Sequence, residues 1–254
     1  MSISIHALSH KFAAEVSGIN IAKPLSANEV AAIESAMQIY GVLVFREQDI
    51  TDEQQLVFSA NFGPLLDGAN STVKRANLRL DPAFADVSNI DKDGFLLSAD
   101  DRRRVSSLGN RLWHSDASFR VIPARYSLLS GRVVPPAGGN TEFADMHAAY
   151  DSLEPATKTQ IEDLVCEHSQ IFSRFQLGFT DYLEEERKTM TPVAQRLVRV
   201  HANSGRKSLY LSAHIGRIVG WPVPEALAFI RDLVEHATQR ELVHTHTWRA
   251  GDLG

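Results

Sequence analysis

The sequence predicts one mainly β domain with flanking helices, and three observations lead to it. Short β-branched and aromatic runs recur from Trp113 onward, clusters of turn-forming residues separate them, and a helix, strand, helix unit opens the chain. Repeated short strands between good turns point to a sandwich or barrel. The 254 residues suffice for a single such domain over 1–254, and no internal repeat or low-complexity linker divides them.

Each element has a local reason. Ser26-Ala27-Asn28-Glu29 is a capping box ahead of Val30, Ile33, Met37 and Ile39, and Gly41 supplies the stop, so a helix is expected. Val42-Leu43-Val44-Phe45 follows as a short buried strand, and Thr51 caps a second helix that runs to Phe62 and ends at Gly63-Pro64. Charges without periodicity over 66–111 predict loops, with one strand at 85–90. Further strands are expected over 113–119, 126–134, 141–143, 197–201, 208–212 and 242–248. Pro135-Pro136-Ala137-Gly138-Gly139 and Asn203-Ser204-Gly205-Arg206 turn the chain between them. Two helices interrupt this series, at 146–167 and 224–238, the second with Leu227, Ile230, Leu233 and Val234 on one face.

Composition excludes several classes of function. The net charge is -5 and the basic residues are scattered, so no phosphate-tracking surface forms and nucleic acid is not an expected partner. A single cysteine, Cys166, rules out an intramolecular disulfide and a cysteine-based zinc site. Its apolar surroundings over 161–166 make it a buried, inert thiol. No signal-peptide core and no apolar run of about 18 residues occurs, so a cytoplasmic protein without a membrane partner is expected.

Chemistry concentrates at Trp113-His114-Ser115-Asp116. On a strand, His114 and Asp116 project from one face and can ligate one ion, which is two-thirds of the facial triad of a non-haem Fe(II) oxygenase. A hydrogen-bonded or surface His–Asp pair is the alternative. His244-Thr245-His246 has the same spacing, and polar alternation on an exposed strand face explains it more simply. No Gly-x-Ser-x-Gly elbow, phosphate-binding loop or dinucleotide fingerprint is present.

Longer segments carry a family resemblance. Residues 110–119, centred on the His114/Asp116 pair, and 135–143, Pro-Pro-Ala-Gly-Gly-Asn-Thr-Glu-Phe, resemble the first metal-binding strand and the oxoacid-binding turn of the TfdA/TauD family of Fe(II)- and 2-oxoglutarate-dependent dioxygenases. Val44-Phe45-Arg46, 58–64, His201 with Gly205-Arg206-Lys207, and 235–240 match in the same order, so the resemblance covers nearly the whole chain. It is closest to the herbicide-degrading branch.

The resemblance implies a double-stranded β-helix (jelly roll) and a reaction in which a small carboxylate-bearing substrate is hydroxylated at the expense of 2-oxoglutarate and dioxygen. For an aryloxyalkanoate such as 2,4-dichlorophenoxyacetate the products are a phenol, an oxoacid, succinate and carbon dioxide. By the same resemblance His114 and Asp116 are Fe(II) ligands, Thr141 hydrogen-bonds an oxoacid carboxylate and Trp248 lines that pocket, with a simple core aromatic as the alternative for Trp248. Asn110 and His201 contact substrate, with backbone capping and a strand-end position as their alternatives.

The sequence departs from its relatives where they carry lysines, having Ser71 and Phe95 instead, and Lys74, Lys92 and Arg120 are the other candidate cations. The family's distal His ligand and its oxoacid-pairing Arg have no counterpart, and His214, His244 and His246 do not match the distal position. The jelly roll is therefore expected to be incomplete at the C-terminus, lacking final strands, with weak iron binding, poor activity and self-association into a homo-oligomer. Two further readings stay open: a family oxygenase for a sulfonate or other small anion, and a β-helix binding protein without a working iron site.

Overall fold

A computed structural model describes residues 3–8, 12–66 and 78–254. The expected helix, strand, helix unit forms, but two strands that were not expected precede it. β1 (Ser4–Ala7) and β2 (Ala13–Ser17) pair antiparallel, and α1 (Ala27–Ile39) crosses over to β3 (Val42–Phe45), which runs parallel to β2. The capping box of α1 forms as read, with Ser26 Oγ accepting from the Glu29 amide. α2 (Asp52–Ala60) has an equivalent box from Thr51 and Gln54.

β3 is buried along its whole length, which explains its unbroken apolar run. Leu253 continues this sheet, bridging antiparallel to Phe45 on one side and Ser130 on the other. Ile33, Leu43, Phe45, Phe58, Phe62 and Leu253 form the core beneath it.

The second half is mixed. α3 (Arg102–Ser107) precedes a 3-10 turn at Leu108–Arg111, and β4 (Thr141–Ala144) leads into α4 (Met146–Asp151) and α5 (Pro155–Ile161). β5 (Val165–His168), α6 (Gln170–Phe175), α7 (Glu184–Thr189), β6 (Val193–Arg196), β7 (Val198–Val200), β8 (Lys207–Leu209) and β9 (Ile215–Ile218) follow. α8 (Val223–Ala237) and β10 (Val243–His246) complete the order. Besides β1-β2-β3, the sheets are β4 with β10, β6-β5-β9, and the β7/β8 hairpin. α8 buries Ala226, Ile230 and Leu233 in a core shared with Ile161, Cys166, Leu197, Leu209 and Ile218. Cys166 is fully buried, and that burial pushes its thiol up to about 12.

Several expectations are corrected. The described residues hold more helix than strand, in several small sheets, so the chain is mixed helix and strand and not mainly β. The expected helix at 146–167 breaks at Ser152–Glu154, where Pro155 starts a new helix, and its end is strand β5. Capped helices α3 and α6 occupy stretches assigned no helix, begun by Asp101 and Ser169. No strand forms at 85–90 or 126–134 beyond the bridges of Ile90 to Leu96 and Ser130 to Leu253.

Segment 113–119 is not a ladder strand either. Ala213 N–H donates to Trp113 O at 2.9 Å, but Ser115 turns to side chains and carbonyls, its amide donating to Ser212 Oγ (3.3 Å) and its hydroxyl to Leu211 O (2.7 Å). Ala117, at φ 54°, then bends the chain into a turn. Among the described residues no helix is long and apolar enough to cross a membrane.

Candidate active site

The extended stretch after Leu112 and the turn at Ala117 bring His114 and Asp116 together, with Nε2 3.1 Å from Oδ1. His114 Nδ1 lies 2.7 Å from the Leu112 carbonyl and can only donate to it, which places the unprotonated position at Nε2. The Asp116 hydrogen bond raises the imidazole's pKa, and the imidazole, helped by Ser127, holds the carboxyl below its usual range. With no ion bound the pair can share a proton between Nε2 and Oδ1, and an incoming cation displaces that proton to reach the Nε2 lone pair. Asp116 is 58% exposed, so an incoming ion can reach it.

An imidazole lone pair beside a carboxylate, fixed from behind by a backbone carbonyl, suits Fe(II) as a two-residue donor set. Among the described residues no group of three His, Cys, Asp or Glu side chains comes together to enlarge it. His214 lies near without joining it. Its ring is edge-on to His114 (5.9 Å between centroids) and to Phe119 (5.0 Å), and its Nδ1 is 2.9 Å from Ser173 Oγ. Burial pushes His214 down to about 3, so it stays neutral.

Thr141 and Trp248 meet at a second place. Thr141 pairs with His246 across β4 and β10, and two residues further on the Trp248 indole N–H donates to Thr141 Oγ1 at 2.9 Å. The indole is buried with its ring edge-on to His246, 4.4 Å between centroids. His244 and His246 are on the inward face of β10, 7% and 2% exposed, which corrects the expectation of an exposed polar face. His244 packs edge-on to Phe12, and His246 Nε2 lies 3.3 Å from Asp252 Oδ2.

Asn110 stands exposed in the 3-10 turn, and its Oδ1 accepts from Arg174 at 3.5 Å. His201 closes the β7/β8 hairpin, with Nε2 3.0 Å from Ser208 Oγ and its ring 4.4 Å from that of His147. Among the described residues no direct hydrogen bond or ring contact joins the His114/Asp116 pair to Thr141, Trp248 or His201. Of the other candidate cations, Lys92 pairs with its neighbour Asp93 on the surface and Arg120 is half-buried; Phe95, at a position where relatives carry lysine, is an exposed side chain. Ser71 and Lys74 lie outside the described residues. Sequence reading passed over Ser173 and Arg174, the groups that connect Asn110 to His214. A basic residue on the packed side of a short helix capped by Ser169 was the available signal.

Comparison with known proteins gives concordant results. The model of the taurine catabolism dioxygenase TauD, TfdA family matches residues 4–253. The chain is 46% identical over 253 residues to the alpha-ketoglutarate-dependent 2,4-dichlorophenoxyacetate dioxygenase of Cupriavidus pinatubonensis, covering 100% of this chain and 88% of that one. It is 32% identical to the (S)-phenoxypropionate/alpha-ketoglutarate-dioxygenase of Delftia acidovorans, covering 94% and 81%. The solved structure of AAD-2 in complex with Mn(II) and N-oxalylglycine superposes with a TM-score of 0.91 at 54% identity, covering 100% of this chain and 86% of the other.

Proposed function

The chain belongs to the TauD/TfdA family of dioxygenases, and from that premise we propose that it is an Fe(II)- and 2-oxoglutarate-dependent enzyme hydroxylating an aryloxyalkanoate such as 2,4-dichlorophenoxyacetate. The observation that carries the reading is the His114/Asp116 pair, an imidazole whose Nδ1 is tied to a carbonyl and whose Nε2 faces a carboxylate 3.1 Å away. The names of the relatives support the substrate class, since two act on aryloxyalkanoates with alpha-ketoglutarate.

When bound, Fe(II) with 2-oxoglutarate supplies the oxidising chemistry, in which dioxygen gives one oxygen atom to succinate and one to the substrate C–H, with loss of carbon dioxide. His114 and Asp116 are read as the residues that hold the metal. Thr141 presents its hydroxyl to a carboxylate of 2-oxoglutarate: a hydroxyl has one donor and two acceptor sites, and the indole of Trp248 takes an acceptor site, so the O–H remains to donate. Trp248 fixes that orientation through its indole N–H. Asn110 and His201 are read as substrate contacts. Hydroxylation of the carbon beside the ether oxygen gives a hemiacetal that breaks down to a phenol and an oxoacid. We read residues 1–254 as one domain and its small sheets as parts of a double-stranded β-helix.

The test is an anaerobic visible spectrum with Fe(II) and 2-oxoglutarate, followed by succinate and phenol release with 2,4-dichlorophenoxyacetate in air. A charge-transfer band and matched yields of the two products are expected. Neither band nor products would overturn the reading, and succinate released with a sulfonate but not with the aryloxyacetate would reassign the substrate.

A further inference from the structure

A guanidinium taken out of water is strongly destabilising unless a carboxylate or several hydrogen bonds replace its hydration. Arg174, on α6, is only 7% exposed, and among the described residues no carboxylate comes within ion-pair distance of it. Its hydrogen bonds to other side chains go to neutral oxygens: Nη1 to Ser173 Oγ at 2.9 Å and Nη2 to Asn110 Oδ1 at 3.5 Å. A five-donor fork so supplied keeps capacity for an anion.

The surroundings hold this cation in place. Gly109 lies so close that a Cβ there would fall 2.7 Å from Arg174 Cζ, so the 3-10 turn rests directly on the guanidinium. Ser173 Oγ, which accepts from Arg174, also meets His214 Nδ1 at 2.9 Å, and the His214 ring abuts that of His114. The cation is thus tied through two hydrogen bonds and one ring contact to the metal pair. The Tyr182 hydroxyl is also buried without a hydrogen-bond partner among the described residues.

We propose that Arg174 receives the carboxylate of the substrate, with Asn110 and Ser173 orienting its guanidinium. This rests on the reading of the chain as a dioxygenase for a small carboxylate-bearing substrate and names the residue that selects the acid. It also gives Asn110 a role different from direct contact, that of positioning the cation.

The experiment compares binding of 2,4-dichlorophenoxyacetate and its neutral amide to the metal- and 2-oxoglutarate-loaded protein under anaerobic conditions, by calorimetry. Wild type should prefer the acid. Arg174→Gln should weaken the acid about 10- to 100-fold and the amide less than about 3-fold, with Arg174→Lys intermediate. Asn110→Asp, on an exposed residue, sets a competing carboxylate beside the guanidinium and should give the same acid-specific loss; it serves if Arg174→Gln does not fold. Equal loss of acid and amide, or an unchanged acid preference in Asn110→Asp, would overturn the proposal. So would weakening of 2-oxoglutarate binding in place of substrate binding, which would assign Arg174 to the oxoacid. Wild-type protein that binds neither compound yet releases succinate with another anion would instead refute the substrate reading, a result separable from these.

Discussion

The indole N–H of Trp248 donates to the hydroxyl of Thr141 across the end of the β4/β10 ladder, at 2.9 Å. Removing the hydroxyl therefore removes both the indole's partner and the proposed donor to 2-oxoglutarate. Thr141→Val should raise the KM for 2-oxoglutarate about 10- to 100-fold, the value of one hydrogen bond to a charged group. Trp248→Phe keeps the hydroxyl but frees its orientation, and a smaller rise is expected. Steady-state KM values for the two variants decide the order, and a larger effect from Trp248→Phe would make the ring, not the hydroxyl, the functional group.

Asp116 is more than half exposed, its carboxylate faces His114 outside the core, and it is one of the two proposed metal ligands. Asp116→Ala should lower Mn(II) affinity at least about tenfold while shifting Tm by no more than about 2 °C. Titration of Mn(II), followed by the loss of the free ion's magnetic resonance signal, reads the first, and thermal unfolding reads the second. Undiminished affinity would remove Asp116 from the metal centre.

What could be read from the sequence was what is local. The capping boxes at Ser26/Glu29 and Thr51/Gln54 are each complete within four residues, and both helices formed where expected. His114 and Asp116 do come together, but not by the strand alternation from which their shared face was expected. Hydroxyls of Ser115 and Ser212 replace ladder bonds there, and a left-handed Ala117 makes the turn, neither of which alternation encodes. Burial of His244 and His246 was invisible because it depends on Phe12, Trp248 and Asp252, and Arg174 needed Gly109, 65 positions away, to be seen as enclosed.

His168 is fully buried on β5, stacked on Tyr210 at 5.6 Å, with both ring nitrogens unpartnered among the described residues. Burial, reinforced by Arg199, pushes its pKa down to about 4. As pH falls, the unfolded chain takes up this proton first, so the contribution of His168 is fully present above about pH 6.5 and is lost between there and about pH 4. Up to roughly 3 kcal/mol of stability is at stake. His168→Phe keeps the stacked ring and cannot titrate, so its urea midpoint should fall less steeply over that window than the wild type's. Parallel curves would show that His168 protonates as readily in the folded protein.

The last stretch of the chain is held by a buried charge. Asp252 is 1% exposed and its Oδ2 accepts from Arg46 Nη1 (2.5 Å) and from the Arg249 amide (2.8 Å), with His246 Nε2 at 3.3 Å. Arg46 is 23% exposed and also reaches Glu15 at 3.3 Å, so it ties β2, β3 and the 249–252 turn together. Removing the cation leaves a carboxylate without its charged partner inside the protein, and Arg46→Met should destabilise by about 3 kcal/mol, the low end for a broken buried pair because Arg46 keeps some contact with water. Asp252→Asn should be milder, since the amide oxygen can still accept from the Arg249 N–H. The double variant should be more stable than the sum of the two predicts, because the carboxylate that Arg46→Met strands is gone. Denaturant unfolding of all four forms measures the coupling. Strict additivity would mean that Arg46 and Asp252 act independently despite their contact. The C-terminal bridge from Leu253 to Phe45 would then rest on its backbone bonds alone.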